Sequence, residues 1–282
     1  MDDMTHKAMA GSVSGVTTDQ LMAIALRMAG MDEIPPDSMI HVPGQAIHKI
    51  ICGIDMGVAE IDMASRLGYD CVLAHHPQPA VLTFPRMVNR HIELMVGAGV
   101  PADVAERAVA QIREPLEWRY HSANYDHAPS FARLINMPYL NIHNPLDEIG
   151  RSRMQAAIDA AVTPDSPVQA VIDALMTLPE FAAAPTRPLV AGGTPTARAG
   201  RVLVDHGAGT NGGYHVAHAC FEHGIDTVVY LHCDFGNLAR LRAEAKGNLV
   251  IAGHIASDVA GIAPYLAELE RLGLSITRVS AL

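Results

Sequence analysis

Short apolar segments alternate with helical patterns along this chain of 282 residues. HKIICGID (48–55) and CVLAHH (71–76) are apolar runs typical of strands, and the segment between them has the spacing of an amphipathic helix. The last third repeats this order, from RVLVDH (201–206) to LSITRV (274–279). Because strands that alternate with helices usually pair in parallel, the sequence predicts an α/β fold.

Two echoes link the halves of the chain. GYDCVLAHHPQ (68–78) and GIDTVVYLHCD (224–234) share a glycine, an aspartate and a predicted strand that ends on histidine. YHSANYD (120–126) and GHIASD (253–258) form a second pair, and the two pairs occur in the same order. This order favours two related α/β lobes that face one another. Similar strand ends that arose independently are the alternative.

The predicted organisation has four parts. A flexible leader (1–16) precedes a first α/β lobe (17–150), a helical segment and connection follows (151–199), and a second α/β lobe (200–282) completes the site. The leader lacks the basic and apolar regions of a signal peptide, and no apolar run reaches the roughly 18 residues of a membrane span. We therefore expect a cytoplasmic protein without a membrane partner.

The charge balance limits the class of partner. The formal net charge is -10 at pH 7, and the chain has no run rich in Lys or Arg. Nucleic acids are bound through basic patches, so this composition argues against a nucleic-acid partner. A small-molecule substrate is the expected partner.

Histidines stand where the predicted strands end. His75 and His76 follow an apolar run, at the end of the strand where α/β proteins place side chains that face a ligand. His121 and Asp126 belong to EWRYHSANYD, which is predicted to be a short strand that runs into a loop. All four side chains are therefore candidates for one site.

A further pair follows a later strand. His254 and Asp258 are four residues apart, a spacing that puts both side chains on one face of a helix start. Three imidazoles and two carboxylates suit ions such as zinc, iron or manganese, and five ligands exceed the number that one catalytic ion usually takes. The sequence therefore predicts two divalent metal ions that activate water. The predicted ligands are His75, His76, Asp126, His254 and Asp258.

At these residues the chain resembles the GTP cyclohydrolase type-two homologue family, also called NGG-interacting-factor-three-like proteins. The matching segments cover nearly the whole chain: HKIICGID, GYDCVLAHHP, HSANYDHAPSFARLINM, GRVLVDHGAG and GNLVIAGHIASDVAGI. The resemblance implies two α/β lobes with mixed sheets, metal ions in the cleft between them, and a homohexamer built from dimers.

The family's motifs carry metal ligands on both histidines of H-H-P, on the aspartate of an H-T-N-L-D-like segment and on the histidine and acid of G-H-x-x-x-E. The resemblance assigns these roles to the five ligands named above. Three departures stand out. HSANYD has one residue more between its histidine and its aspartate, Asp258 replaces a glutamate, and YLHCD stands where the family shows T-G-E.

The function that follows is a metal-dependent hydrolase for a small nucleotide-like or heterocyclic substrate. Asp126 is the candidate bridging ligand, and His121 is the candidate for acid-base work because it has no ligand role. His232 ends the strand that echoes His76, so it is a candidate for supporting a ligand or moving a proton. A non-catalytic metal-binding or regulatory oligomer is the alternative from another class.

A glycine motif gives a second alternative. Gly207, Gly209 and Gly212 form a G-x-G-x-x-G pattern after a predicted strand and before a predicted helix, and Asp234 ends the next strand. This context is typical of a dinucleotide-binding oxidoreductase. Another interpretation is that free backbone N–H groups of this loop hold an anionic group of the substrate.

Overall fold

The computed structural model describes residues 15–78 and 81–282, and the predicted leader falls almost entirely outside this part of the chain. The strands are β1 (Met39–Val42), β2 (Lys49–Gly53), β3 (Cys71–Ala74), β4 (Tyr139–Asn141), β5 (Leu189–Gly192), β6 (Val202–Val204), β7 (Thr227–Tyr230), β8 (Asn248–Ile251) and β9 (Ser275–Val279). The helices are α1 (Thr18–Ala29), α2 (Val58–Arg66), α3 (Arg90–Gly97), α4 (Ala102–His121), α5 (His127–Leu134), α6 (Asn144–Ala161), α7 (Gln169–Leu175), α8 (Pro179–Ala183), α9 (Gly213–Glu222), α10 (Phe235–Glu244) and α11 (His254–Arg271), with a 3-10 helix at Phe84–Asn89.

The strands form two mixed sheets. The first has the order β1-β4-β3-β2-β9 and the second has the order β5-β8-β7-β6. In each sheet one edge strand, β1 or β5, runs antiparallel to its neighbour, and the other described pairs are parallel. The α/β fold with mixed sheets is therefore confirmed. β3 and β7 belong to the two segments of the first echo, and each is the third strand counted from the antiparallel edge of its sheet.

Two helices, α6 and α11, lie between the sheets and pack against both of them. Leu146 of α6 and Leu266 of α11 pack with residues of the first sheet, whereas Met154 of α6 and Ala256 of α11 pack with residues of the second. Successive residues of a strand point to opposite faces, so the other face of each sheet needs its own cover. That cover consists of α2 and α5 on the first sheet and of α3, α4, α9 and α10 on the second.

α6 and α11 touch backbone to backbone. A Cβ atom added to Gly261 of α11 would lie 1.8 Å from the carbonyl oxygen of Leu146 in α6. One added to Gly150 of α6 would lie 2.9 Å from the carbonyl oxygen of Ser257 in α11. Atoms without a bond between them do not approach so closely, so only glycine fits at both positions. The crossing fixes the distance between the first turns of the two helices.

The last described strand returns to the first sheet. β9 pairs in parallel with β2, with Lys49 opposite Ser275, although it follows all strands of the second sheet along the chain. The boundaries predicted for the two lobes stay predictions. None of the helices in the described residues has both the length and the apolar composition needed to cross a membrane.

Candidate metal centre

Histidines follow the carboxyl ends of three strands and meet between the sheets. His75 and His76 follow β3, His143 comes two residues after β4, and His254 comes after β8 as the first residue of α11. Ligands of α/β proteins bind at this end of the strands. His75 and His143 are buried, whereas the His254 side chain is 40% exposed. The site therefore has a closed side and an open side.

Two of these histidines begin the same local motif. His143 precedes Asp147 by four residues in HNPLDEIG, and His254 precedes Asp258 by four residues in HIASDVAG. Each helix start places imidazole and carboxylate on one face, with Nε2 to Oδ2 distances of 3.5 Å and 3.4 Å. The final glycine of each motif lies at the crossing of α6 and α11. The crossing therefore brings the two carboxylates together from the two sheets.

Asp258 is shared by several imidazoles. Its Oδ2 atom lies 3.4 Å from His76 Nε2, 3.8 Å from His75 Nε2 and 3.4 Å from His254 Nε2. On the other side of the cluster, Asp147 Oδ1 lies 3.2 Å from His75 Nε2. Three sets of side chains each place their ligand atoms within 4.8 Å of one another: His75, His76 and His143; His76, His254 and Asp258; and His75, Asp147 and Asp258.

Several buried polar atoms in this cluster have no hydrogen-bond partner among the residues that the structure describes. They are His75 Nε2, Asp147 Oδ1, Asp258 Oδ2 and His206 Nε2. A buried polar atom without a partner costs free energy, so native proteins rarely leave four of them side by side. A cation bound between His75, Asp147 and Asp258 would satisfy the first three of these atoms. The donor set therefore fits a divalent metal ion.

The opposite ring nitrogens of three histidines are already bonded. Nδ1 of His75 lies 3.1 Å from the carbonyl oxygen of Ile142, and Nδ1 of His143 lies 2.7 Å from Asp37 Oδ2. Nδ1 of His76 lies 2.8 Å from an oxygen of Asp55. A carbonyl or carboxylate oxygen only accepts, so each Nδ1 donates, and in the neutral ring Nε2 carries a lone pair. This pattern orients metal-binding histidines in proteins.

Solved structures identify the family. A crystal structure of a NIF3 superfamily protein from Sphaerobacter thermophilus is 48% identical to this chain, covers 95% of it and 100% of its own chain, and has a TM-score of 0.93. The chain belongs to the NIF3 superfamily. No family model matches the sequence, and no curated protein is a significant match.

Two more distant structures share the fold of the NIF3 superfamily chain. Reduced HcgD from Methanocaldococcus jannaschii is 14% identical, with 94% of this chain and 98% of HcgD covered and a TM-score of 0.55. TTHA1606 from Thermus thermophilus is 16% identical, with 93% and 97% covered and a TM-score of 0.52. At such low identity they are evidence for the fold alone.

Asp126 and His121 lie outside the cluster, which corrects the predicted ligand set of this NIF3 superfamily chain. The segment that contains them is not a strand, because α4 continues through His121 and a turn leads to α5. The half-exposed Asp126 carboxylate lies 2.5 Å from Arg133 Nη2. Tyr120 of this segment packs from α4 instead, with its ring stacked 4.8 Å from the ring of Phe84.

Asp147, and not Asp126, is the aspartate that matches the H-T-N-L-D motif and lies in the cluster. HNPLD has three residues between histidine and aspartate, as the H-T-N-L-D motif of the NIF3-like family does, whereas HSANYD has four. The second echo therefore pairs HNPLD, and not HSANYD, with HIASD. This repeat, with its glycine three residues further on, was the signal available in the sequence. The shorter acid Asp258 still reaches His76 and His254.

His232 and the loop of residues 207–212 lie on the other side of the cluster. The His232 ring is centred 4.9 Å from the His254 ring, and its Nδ1 lies 3.1 Å from the amide nitrogen of Asn211. Gly209 and His232 line a cavity of about 30 Å³ that Asp258 also lines. Within the described residues, His232 is not part of the three ligand sets. Its role stays a prediction.

The structure argues against a dinucleotide in this NIF3 superfamily chain. Pockets for such ligands have volumes of about 300 Å³ or more, far above that of the cavity beside the glycine loop. Asp234, which the dinucleotide hypothesis needs for a ribose, instead caps α10 and accepts a hydrogen bond of 3.0 Å from the backbone N–H of Asn237.

The carboxylates of the cluster favour protonated imidazole when no metal ion is bound. Burial alone would lower the pKa of His143, but the carboxylates of Asp147 and Asp37 raise it to about 9. Burial would raise the pKa of Asp147, yet the nearby imidazoles of His143 and His206 hold it well below its usual range. A metal ion would therefore compete with protons for this cluster.

We expect a pH dependence in the metal-free protein. The pKa of His143 is raised from 6.5 to about 9 on folding, so its imidazolium stabilises the fold fully below pH 6.5. This contribution is lost as the pH rises through about 9, and the free energy of unfolding should fall by about 3 kcal/mol. Urea unfolding with a chelator present measures the change. His143→Gln should show a flatter profile, and equal slopes in both proteins would contradict the assignment.

Proposed function

We propose that this chain binds two divalent metal ions between its sheets and uses them to hydrolyse a small substrate. The supporting observation is the convergence of buried imidazole nitrogens and carboxylate oxygens that have no hydrogen-bond partner among the described residues. Bound divalent ions lower the pKa of water and polarise an electrophilic group of a substrate. The chain's own residues orient these ions and exclude bulk water.

The ligand sets support two ions rather than one. His76 and His254 share Asp258 with a second set, which consists of His75 and Asp147. Asp258 is therefore our candidate for the bridging ligand, in place of Asp126. Imidazole nitrogens mixed with carboxylate oxygens suit zinc, iron or manganese better than magnesium or calcium, which prefer oxygen ligands alone.

The proposed hydrolase activity and substrate class rest on the resemblance to GTP cyclohydrolase type-two homologues. The site opens beside His254, so a nucleotide-like or heterocyclic substrate would approach from this side. His232 borders the same cavity and replaces His121 as the candidate for proton transfer. The homohexamer stays a prediction, which light scattering in solution can check.

Metal binding should be visible in both composition and stability. We expect about two ions per chain by elemental analysis, because two ligand sets share Asp258. A ligand at about 1,000 times its Kd stabilises the fold by about 4 kcal/mol, which for a chain of this length corresponds to a rise in Tm of about 10 °C. Zn²⁺ and Mn²⁺ should give this rise in a thermal unfolding experiment, and Mg²⁺ should give little.

The proposed hydrolase activity is tested separately from metal binding. The zinc-loaded protein should release product from at least one member of a panel of nucleotides and heterocycles, and the metal-free protein should release none. Metal binding without turnover across such a panel would favour the regulatory metal-binding oligomer. A chain that binds none of these ions would contradict the whole proposal.

A further inference from the structure

The small cavity beside the metal cluster has two chemically different walls. One wall consists of candidate metal ligands, namely His143, Asp147, His254 and Asp258. The other wall follows β6 and β7 and consists of His206, Gly209, Thr210, Asn211, Leu231 and His232. The second wall offers a hydroxyl, an amide and two imidazoles, none of which belongs to the three ligand sets of the described residues. These are groups that can donate hydrogen bonds.

The loop in the second wall is held in place before any ligand binds. Gly207 and Gly209 have φ angles of +74° and +79°, which other residues rarely adopt, and a Cβ on Gly209 would lie 3.0 Å from Met87. The Asn144 amide of α6 donates to the carbonyl oxygen of Gly207, and the Asn211 side chain accepts from the next helix at 2.9 Å. The loop therefore presents a fixed surface to the cavity.

His206 is the residue of this wall that lacks a partner. It is 4% exposed and lines the cavity, and its Nε2 atom has no hydrogen-bond partner among the described residues. The Oδ1 atom of Asp147 lies 3.6 Å from His206 Nε2, which is too far for a hydrogen bond. In contrast to His75, His76 and His143, no hydrogen bond in the described part of the chain fixes Nδ1 of His206. Its Nε2 is therefore free to carry the proton and to donate it into the cavity.

Charge decides when this wall can bind an anion. Asp147 and Asp258 face the cavity, and its described lining includes no Lys or Arg. In the metal-free cluster the His143 imidazolium offsets the charge of one of these two carboxylates, so the remaining negative charge would repel an anion. Two divalent ions would bring more positive charge than these carboxylates neutralise. Anion binding at this wall must therefore depend on bound metal.

We propose that His206 and the loop of residues 207–212 hold an oxyanion of the ligand, a phosphate or a carboxylate group, against the metal ions. The proposal rests on the proposed function, because the ions supply the attraction. A cavity of about 30 Å³ has no room for a purine ring. The substrate is therefore an oxyanion-bearing molecule that places only this group inside, while its remainder lies at the open side beside His254.

The test uses Co²⁺-loaded full-length protein, inorganic phosphate and acetate. Calorimetric titration gives the affinity of each anion, and the visible spectrum of Co²⁺ reports whether the anion changes the metal environment. We expect binding of at least one of the two anions by the loaded protein and no binding by the metal-free protein. The anion that binds more tightly identifies phosphate or carboxylate as the recognised group.

Variants of the second wall separate anion binding from metal binding. His206→Leu should keep two cobalt ions per chain and weaken anion binding about tenfold or more, because a hydrogen bond to a charged group is lost. His206→Gln should retain most of the affinity, because its amide can still donate, and Thr210→Val should weaken binding to a smaller degree.

Other outcomes overturn this inference. A loss of cobalt in His206→Leu would make His206 a metal ligand, and an unchanged affinity would remove it from the anion site. Two bound cobalt ions without anion binding would refute the oxyanion wall and leave the proposed metal function intact. No bound cobalt, zinc or manganese would refute the metal function itself.

Discussion

Asp258→Asn is expected to lower the metal content from about two ions per chain to one or fewer. The Oδ2 atom of Asp258 lies within 4 Å of Nε2 in His75, His76 and His254, so both ligand sets that contain a carboxylate depend on it. The amide has nearly the same shape but no charge. We expect the affinity for the remaining ion to fall about 100-fold or more, since loss of even a supporting residue costs about 10- to 100-fold.

Asp126→Asn is the matched control for this substitution. The Asp126 carboxylate is exposed to solvent and pairs with Arg133, so the variant should keep about two ions per chain and lose little stability. Elemental analysis after gel filtration compares the two variants directly. A loss of metal in Asp126→Asn together with full metal content in Asp258→Asn would reverse the ligand assignment made from the structure.

Gly261→Ala is expected to have the largest effect on the fold. The added methyl group would meet the backbone carbonyl of Leu146 at 1.8 Å, and backbone cannot move aside as a flexible side chain can. α6 and α11 would have to separate, and with them Asp147 and Asp258. We expect a loss of about 3 kcal/mol or more in the free energy of unfolding, together with weaker metal binding. Urea unfolding and metal titration measure the two effects.

Gly97→Ala serves as the control for Gly261→Ala. Gly97 ends α3, has no positive φ, and a Cβ atom there would meet nothing within 4 Å. The same chemical change should therefore be neutral or slightly stabilising, since alanine favours the helix over glycine. If both variants lost the same stability, the helix crossing would not be the cause.

Patterns that repeat along the chain allowed much of the site to be predicted. An apolar run that ends on two histidines identified β3 and the side chains of His75 and His76, which follow it. The spacing of four residues identified His254 and Asp258 on the first turn of α11. The places of these four residues could be predicted because strand ends and helix faces follow from local sequence, and their role as metal ligands stays a prediction. The structure brings all four residues into one cluster.

The remaining candidate ligands, His143 and Asp147, were missed for physical reasons. β4 has only three residues, too few to show an alternating pattern, so the histidine and aspartate that follow it had no predicted strand before them. The strand predicted for EWRYHSANYD placed His121 in the site instead, although α4 continues through His121. The anchoring of His143 by Asp37 joins positions that are 106 residues apart, and no local pattern contains such a contact.

β9 belongs to the first sheet but follows all strands of the second sheet along the chain. During synthesis on the ribosome, β2 would therefore keep an open edge until β9 emerges, and open strand edges invite pairing with other chains. α11, which carries His254 and Asp258, emerges just before β9. A nascent chain that ends before α11 thus has the set of His75, His76 and His143 but lacks Asp258, on which the other two ligand sets depend. Under the proposed function, the two-ion site would form at the end of folding rather than at its start.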